Sequence, residues 1–204
     1  MSACRMIFDD FMDSRLGEAL KVPGDRGVGV GYPHASLVRF FTEERIEAIV
    51  NCNCRSCPGY ESSLSQPSRG DLVSKIMGKD NISTYVSVLA FLLQNRKCRF
   101  ITRFIDKEYS DQKLSLRILA ELEFNGLLEL AIGCNHTDYI TFFQFFIPVL
   151  RYEDRLQAEP RAIHQLQTLP FNTIRQIGGG GYSKVFEAVM LEGHHNFGEV
   201  KVCP

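Results

Sequence analysis

Four consecutive glycines, Gly178 to Gly181, constrain this chain more than any other stretch. Glycine has no Cβ, so its backbone can take positive φ and its N–H groups can approach an anion's oxygens closely. The sequence on the far side of the run is strand-like. From Ser183 to Leu191 it alternates β-branched, aromatic and small residues, among them Val185, Phe186, Val189 and Met190, and Glu192-Gly193-His194-His195-Asn196 then makes a turn. The order is strand, glycine turn, strand, loop, and a further strand, Glu199-Val200-Lys201-Val202. A dinucleotide-binding fold shares the G-x-G-x-x-G spacing but needs a helix directly after the glycines, which this pattern does not supply. A glycine hairpin that binds nothing is the plainer reading of the same residues.

Gly178 and Gly180 fill the first two positions of G-x-G-x-x-G, Ser183 stands at the third, and Lys201 follows on the next strand. This combination resembles the opening of a eukaryotic Ser/Thr-type protein kinase domain. The resemblance implies an ATP site. Ile177, Gly178, Gly179, Gly180, Gly181, Tyr182 and Ser183 would form the phosphate-covering loop, with Tyr182 at its tip. Val185 would cover one face of the adenine and Lys201 would reach the α- and β-phosphates as a point charge. Glu199 departs from the pattern: it lies two before the lysine on the same strand face, where kinases carry a small apolar residue, and a carboxylate there carries a desolvation cost. The sequence stops at Pro204, before the helix glutamate, the catalytic aspartate and the metal-holding Asp and Asn of a kinase. No catalytic residue and no metal ligand is therefore assigned. Mg²⁺ and phosphotransfer to protein Ser/Thr are expected only of a complete domain, and this chain is expected to be inactive, with ATP binding weak or lost.

Upstream, the apolar spacing is helical. Leu37, Phe40, Phe41, Ile46 and Ile49 space themselves as one face of a single amphipathic helix, with Glu43, Glu44 and Arg45 opposite. Further helical patterns run over 71–77, 83–94, 99–108 and 114–130, joined by polar turns such as Asn95-Arg96-Lys97 and Tyr109-Ser110-Asp111. Phe142, Phe143, Phe145 and Phe146 are too dense for a one-sided helix and are expected to be buried between the helical layer and its neighbours, a partner-binding surface being the alternative. His136 reads as a solvated turn residue and His164 as part of a polar linker. The whole is α+β: a mostly helical region over 1–156 with a mobile loop near 58–70, a linker over 157–171, and the first three antiparallel strands of a kinase small lobe over 172–204. That order, with Phe142 to Leu150 and its Pro148-Val149-Leu150, the linker, and Leu169-Pro170-Phe171 before the first strand, is similar to kinase-like proteins of filamentous fungi.

With 204 residues, 45% of them hydrophobic, the chain is long enough for a packed core, and a net charge of −1 provides no basic field for nucleic acid or an anionic membrane. The apolar run from Tyr139 to Leu150 contains Gln144 and Pro148 and is too short for a membrane span. Asp9, Asp10 and Asp13 argue against a secretory signal, so a cytoplasmic location with nuclear access is the default. Seven cysteines, an odd number, then favour reduced thiols over a disulfide framework. Cys52, Cys54 and Cys57 form a C-x-C-x-x-C run that could offer thiolates to zinc, but a closed structural site needs a fourth ligand, and neither His34 nor Cys98 stands at a telling spacing. An exposed loop with free thiols is the simpler expectation. Two rivals to the kinase reading stand beside it: a helical protein-interaction module with a relic hairpin, and a thiol-metal protein.

Overall fold

The protein is seen in a computed structural model that describes residues 2–21, 28–54, 69–78, 84–114, 126, 142, 144–146, 170–181 and 184–191. The 58–68 part of the expected loop, residues 157–169 of the linker, Phe143, His136, His164 and the Lys201 strand lie outside these residues, as does 115–130 apart from Gly126.

The helices are α1 (Ala3–Asp13), α2 (His34–Phe40), α3 (Glu43–Val50), α4 (Arg69–Met77), α5 (Val86–Gln94), α6 (Ile101–Asp106) and α7 (Asp111–Leu114), with a 3₁₀ turn at Cys98–Phe100 leading into α6. In α1, Cys4, Ile7 and Phe11 recur at helical spacing on the buried face. Arg5 and Asp9, four apart on the outer face, pair at 3.0 Å.

The single helix expected around Leu37 to Ile49 is two. Its break falls at Phe41, where ψ is 74°, and Thr42, in extended conformation, is the N-cap of α3. Adjacent positions on one straight helix point about 100° apart. Breaking the helix lets Phe40 and Phe41 both enter the core together with Leu37, Ile46, Ile49 and Val50. The carbonyl of Phe40 accepts from Arg45 Nη1 at 3.1 Å, and the same guanidinium lies 4.1 Å from the Phe40 ring centroid.

Among the described residues helix α5 is the centre of the core, buried at every position from Val86 to Leu93. An apolar residue on every face is what a core helix requires. Phe91 meets Phe142 edge-on at 5.3 Å and Phe145 at 6.1 Å; Tyr32 stacks on Phe145 at 4.6 Å and Phe11 lies 5.3 Å from Tyr32. Phe142, Phe145 and Phe146 are thus buried, as their density implied.

A helix buried at its start cannot leave its first N–H groups to water. Tyr85, at the N-cap, provides no side-chain cap. Asp111 provides it from α7: its carboxylate accepts from the Ser87 and Val88 N–H groups, both at 3.0 Å, and from the Thr84 hydroxyl at 2.8 Å. This is why α5 starts at Val86 rather than at the expected 83, and why Asp111, expected in a polar turn, is buried and helical.

The region expected to be mostly helical also holds an antiparallel hairpin, β1 (Glu18–Lys21) with β2 (Val28–Gly31), in which Glu18 opposes Gly31 and Lys21 opposes Val28. Four-residue strands are too short for a period of two to stand out from the flanking sequence. A second hairpin pairs β3 (Phe171–Gly179) with β4 (Lys184–Met190), and β1 lies beside β3. β3 starts within the span expected to be linker, and α4 starts within the span expected to be loop. Among the described residues the chain is α+β, with no helix long and apolar enough to cross a membrane.

Replacing Asp111 by Ala orphans two buried N–H groups and is expected to cost about 2–4 kcal/mol of unfolding free energy in denaturant titration. Burial pushes the Asp111 carboxyl above its ordinary range, against the opposing pull of His34, the Ser87 and Val88 amides and the Thr84 hydroxyl. Below about pH 4 the group is protonated in both states; as pH rises through the raised folded-state value, the folded protein gives up a proton that the unfolded chain has already lost, and stability falls. Asp111→Asn is expected to remove that dependence, measured as unfolding free energy against pH.

Candidate functional site

The glycine run sits where β3 turns into β4. Phe171 pairs with Met190, Arg175 with Glu187, Gln176 with Phe186, Gly178 with Val185 and Gly179 with Lys184. The register shifts between Gln176 and Gly178, so Ile177 is an extra residue in β3, and such a bulge sharpens the local twist. Gly180 and Gly181 begin the turn; Tyr182, Ser183 and Lys201 fall outside the described residues. Arg175 Nη2 and Glu187 Oε2 pair at 2.8 Å across the strands, well exposed, an interaction worth a few tenths of a kcal/mol. At the base, Leu191 is buried and its N–H donates to the Pro170 carbonyl at 2.9 Å.

The strand after the glycines is as expected, and the helix that a dinucleotide-binding turn requires is absent from Lys184–Met190. The reason for glycine differs from the sequence argument. Gly178, Gly180 and Gly181 do not take the left-handed φ that favours glycine. A Cβ at Gly180 or Gly181 would meet nothing within 4 Å, and one at Gly178 would only touch Val185 Cβ at 4.0 Å. Neither strain nor crowding among the described residues demands glycine there. Contrast Gly17 beside the first hairpin, where a Cβ would run into Val30 Cγ1 and come within 3.3 Å of the Tyr32 ring.

Ile177, Val185, Phe186 and Val189 are each more than half exposed. Because side chains alternate along β4, Val185 and Val189 lie on one face and Phe186 on the other. Both faces of this two-stranded unit therefore present apolar surface, alongside the cation Lys184 opposite Gly179. Lys184 was not among the residues singled out from the sequence, since its place beside the turn depends on the register.

A second group of chemistry-bearing side chains lies in the helical region. Cys4, Cys52 and Cys54 bring their sulfurs within 4.8 Å of one another, and Cys4 Sγ is 3.0 Å from Cys54 Sγ. Cys52 is buried and Cys54 half-buried, so these two are not the exposed loop thiols that the sequence suggested; Cys57 lies outside the described residues. Cys4, nearly fifty positions upstream, was missed because only the packing of α1 against α3 brings it there.

His34, the upstream imidazole, sits elsewhere: its Nδ1 is 3.1 Å from Ser87 Oγ and 3.7 Å from Asp111 Oδ2. A His, a Ser and an Asp together invite comparison with a hydrolytic triad, but the geometry is wrong for one. In a triad the carboxylate and the nucleophile occupy opposite ring nitrogens, whereas here Ser87 and Asp111 share Nδ1 and Ser87 is buried. These residues cap α5 and tie α2 to it.

Comparison with protein-family models, curated proteins and solved structures finds no match to this chain.

Gly180→Ala and Gly181→Ala are expected to leave unfolding free energy within about 0.5 kcal/mol of the parent, because the added methyl meets open space. Gly17→Ala is expected to lose about 1–3 kcal/mol in the same denaturant titration, through overpacking against Val30 and Tyr32.

Proposed function

We propose that this chain is the N-terminal part of an ATP-binding protein kinase family member, with the β3–β4 hairpin as its phosphate-covering loop. The observation that carries the reading is the open space over Gly180 and Gly181, in a turn whose own geometry does not demand glycine. Backbone amides bare of side chains can approach phosphate oxygens, and that close approach is a reason for glycine that the fold itself does not supply. The strand order and the exposed Val185, beside the turn, are what a kinase small lobe places over an adenine. Lys184, opposite Gly179, adds a positive charge at the mouth of the turn, and Lys201 is the phosphate-reaching lysine of the motif. Phosphotransfer to Ser or Thr belongs to a complete domain, because positioning and charge stabilisation need the catalytic-loop aspartate, the asparagine and the metal ions.

Backbone amide NMR during ATP titration tests this reading. Amides from Gly178 to Ser183 are expected to shift with a dissociation constant of about 1 mM, roughly 4 kcal/mol, since a few solvent-exposed phosphate contacts are opposed by loop ordering. Lys201→Met is expected to abolish the shifts and Gly180→Ala to weaken them without loss of stability, whereas changes at His194 or His195 leave them intact. Binding in the micromolar range that ignores Lys201→Met would place the nucleotide elsewhere and reject the proposal. In a phosphotransfer assay the purified chain is expected to label no protein substrate above background.

A further inference from the structure

Cys4 lies on the buried face of α1, one turn before Ile7. Cys52 and Cys54 follow the end of α3, where the Cys52 N–H closes a turn on the Ile49 carbonyl at 3.1 Å. Three sulfurs from two separate parts of the chain thus occupy one small volume, all within 4.8 Å of one another. Thiolates bound to one tetrahedral zinc at about 2.3 Å stand about 3.8 Å apart, so each sulfur needs only a small displacement to share an ion. The 3.0 Å separation of Cys4 Sγ and Cys54 Sγ is well beyond the ~2.05 Å of a disulfide, and a disulfide would leave the third sulfur, Cys52, without a role.

Beside the cluster is a cavity of about 210 Å³ whose wall includes Cys4, Cys54, Cys98, Arg5 and Arg96. It gives an ion a side of approach. A doubly charged cation held by three thiolates carries one net negative charge, and the two arginines place positive charge on the same wall. Arg96 is held there over the Phe8 ring at 5.2 Å, and Arg5 by its pairing with Asp9. Soft sulfur donors with no carboxylate or imidazole among them select zinc over magnesium or calcium.

We propose that Cys4, Cys52 and Cys54 form a zinc site, with its fourth coordination position facing the cavity that Cys98 also lines. The ion ties the start of α1 to the end of α3 and so closes a long stretch of chain that the helix contacts alone leave less constrained. The site does not depend on the kinase reading, and neither outcome of the ATP titration bears on it.

The test uses the full chain purified under reducing conditions from zinc-supplemented cells. Expected are one zinc per chain by elemental analysis and intense sulfur-to-metal charge-transfer absorption after replacement by Co²⁺. Mass-mapped alkylation of Cys4, Cys52 and Cys54 is expected to accelerate at least about tenfold when a chelator removes the metal. Cys4→Ser is expected to lose the zinc; should that variant fail to fold, the alkylation map on the parent protein decides. Substoichiometric zinc with alkylation indifferent to chelator would overturn the proposal, as would a Cys4–Cys54 disulfide in place of the metal. Full zinc retention by folded Cys4→Ser would also overturn it, because the C-x-C-x-x-C run would then suffice without Cys4.

Discussion

The arrangement of the helical region rests on the carboxylate of Asp111. A helix as apolar as α5 can be stable only in the middle of the protein, and its first amides then lose their water. Asp111 replaces that water with two charge-assisted hydrogen bonds and holds Thr84 as well, while His34 adds a weaker contact from the start of α2. The same residue thereby fixes where α5 begins and where α7 docks. The cost is an acid whose ionisation is opposed by its burial, so stability gained in placing α5 is partly offset at pH values where the group must be charged.

Around α5 the aromatic side chains set the remaining geometry. Phe91 bridges to Phe142, Phe145 and Phe146, and Phe145 carries the contact onward to Tyr32 and Phe11. Tyr32 is also held through its backbone, its N–H donating to the Gln144 carbonyl at 2.7 Å. Tyr32 directly follows β2, so the first hairpin is anchored to the core at that end, and β1 in turn lies beside β3. The glycine turn is thus carried on a strand pair that borders the helical region, at its exposed end and away from the packed interior.

The two chemically suggestive places in the chain differ in how much of each could be read in advance. The glycine turn is local: its residues are neighbours in sequence, and the alternation after Gly181 was enough to expect a strand. What the sequence could not convey was why glycine is there, since the argument from positive φ fails at Gly178, Gly180 and Gly181 and what remains is the empty space above Gly180 and Gly181. The thiol cluster is non-local. Cys52 and Cys54 advertise themselves by spacing, but their burial and their company with Cys4 depend on α1 packing against α3, for which no short-range pattern exists.

By itself the sequence determined the element types wherever a period was long and strong: the amphipathic α3, the largely apolar α5, the strand of alternating residues after the glycines, and the burial of Phe142, Phe145 and Phe146. Spacing of side chains along a regular backbone is a local property, and these stretches have enough of it. Tertiary structure decided the rest. It broke one expected helix at Phe41 so that two adjacent rings could enter one core, turned Asp111 from a polar-turn residue into a buried cap, and paired β1 with β2 from segments too short to show a period. In each case the deciding partner lies far along the chain or across a core, and a hydrogen bond or ring contact between distant residues leaves no trace in the order of their neighbours.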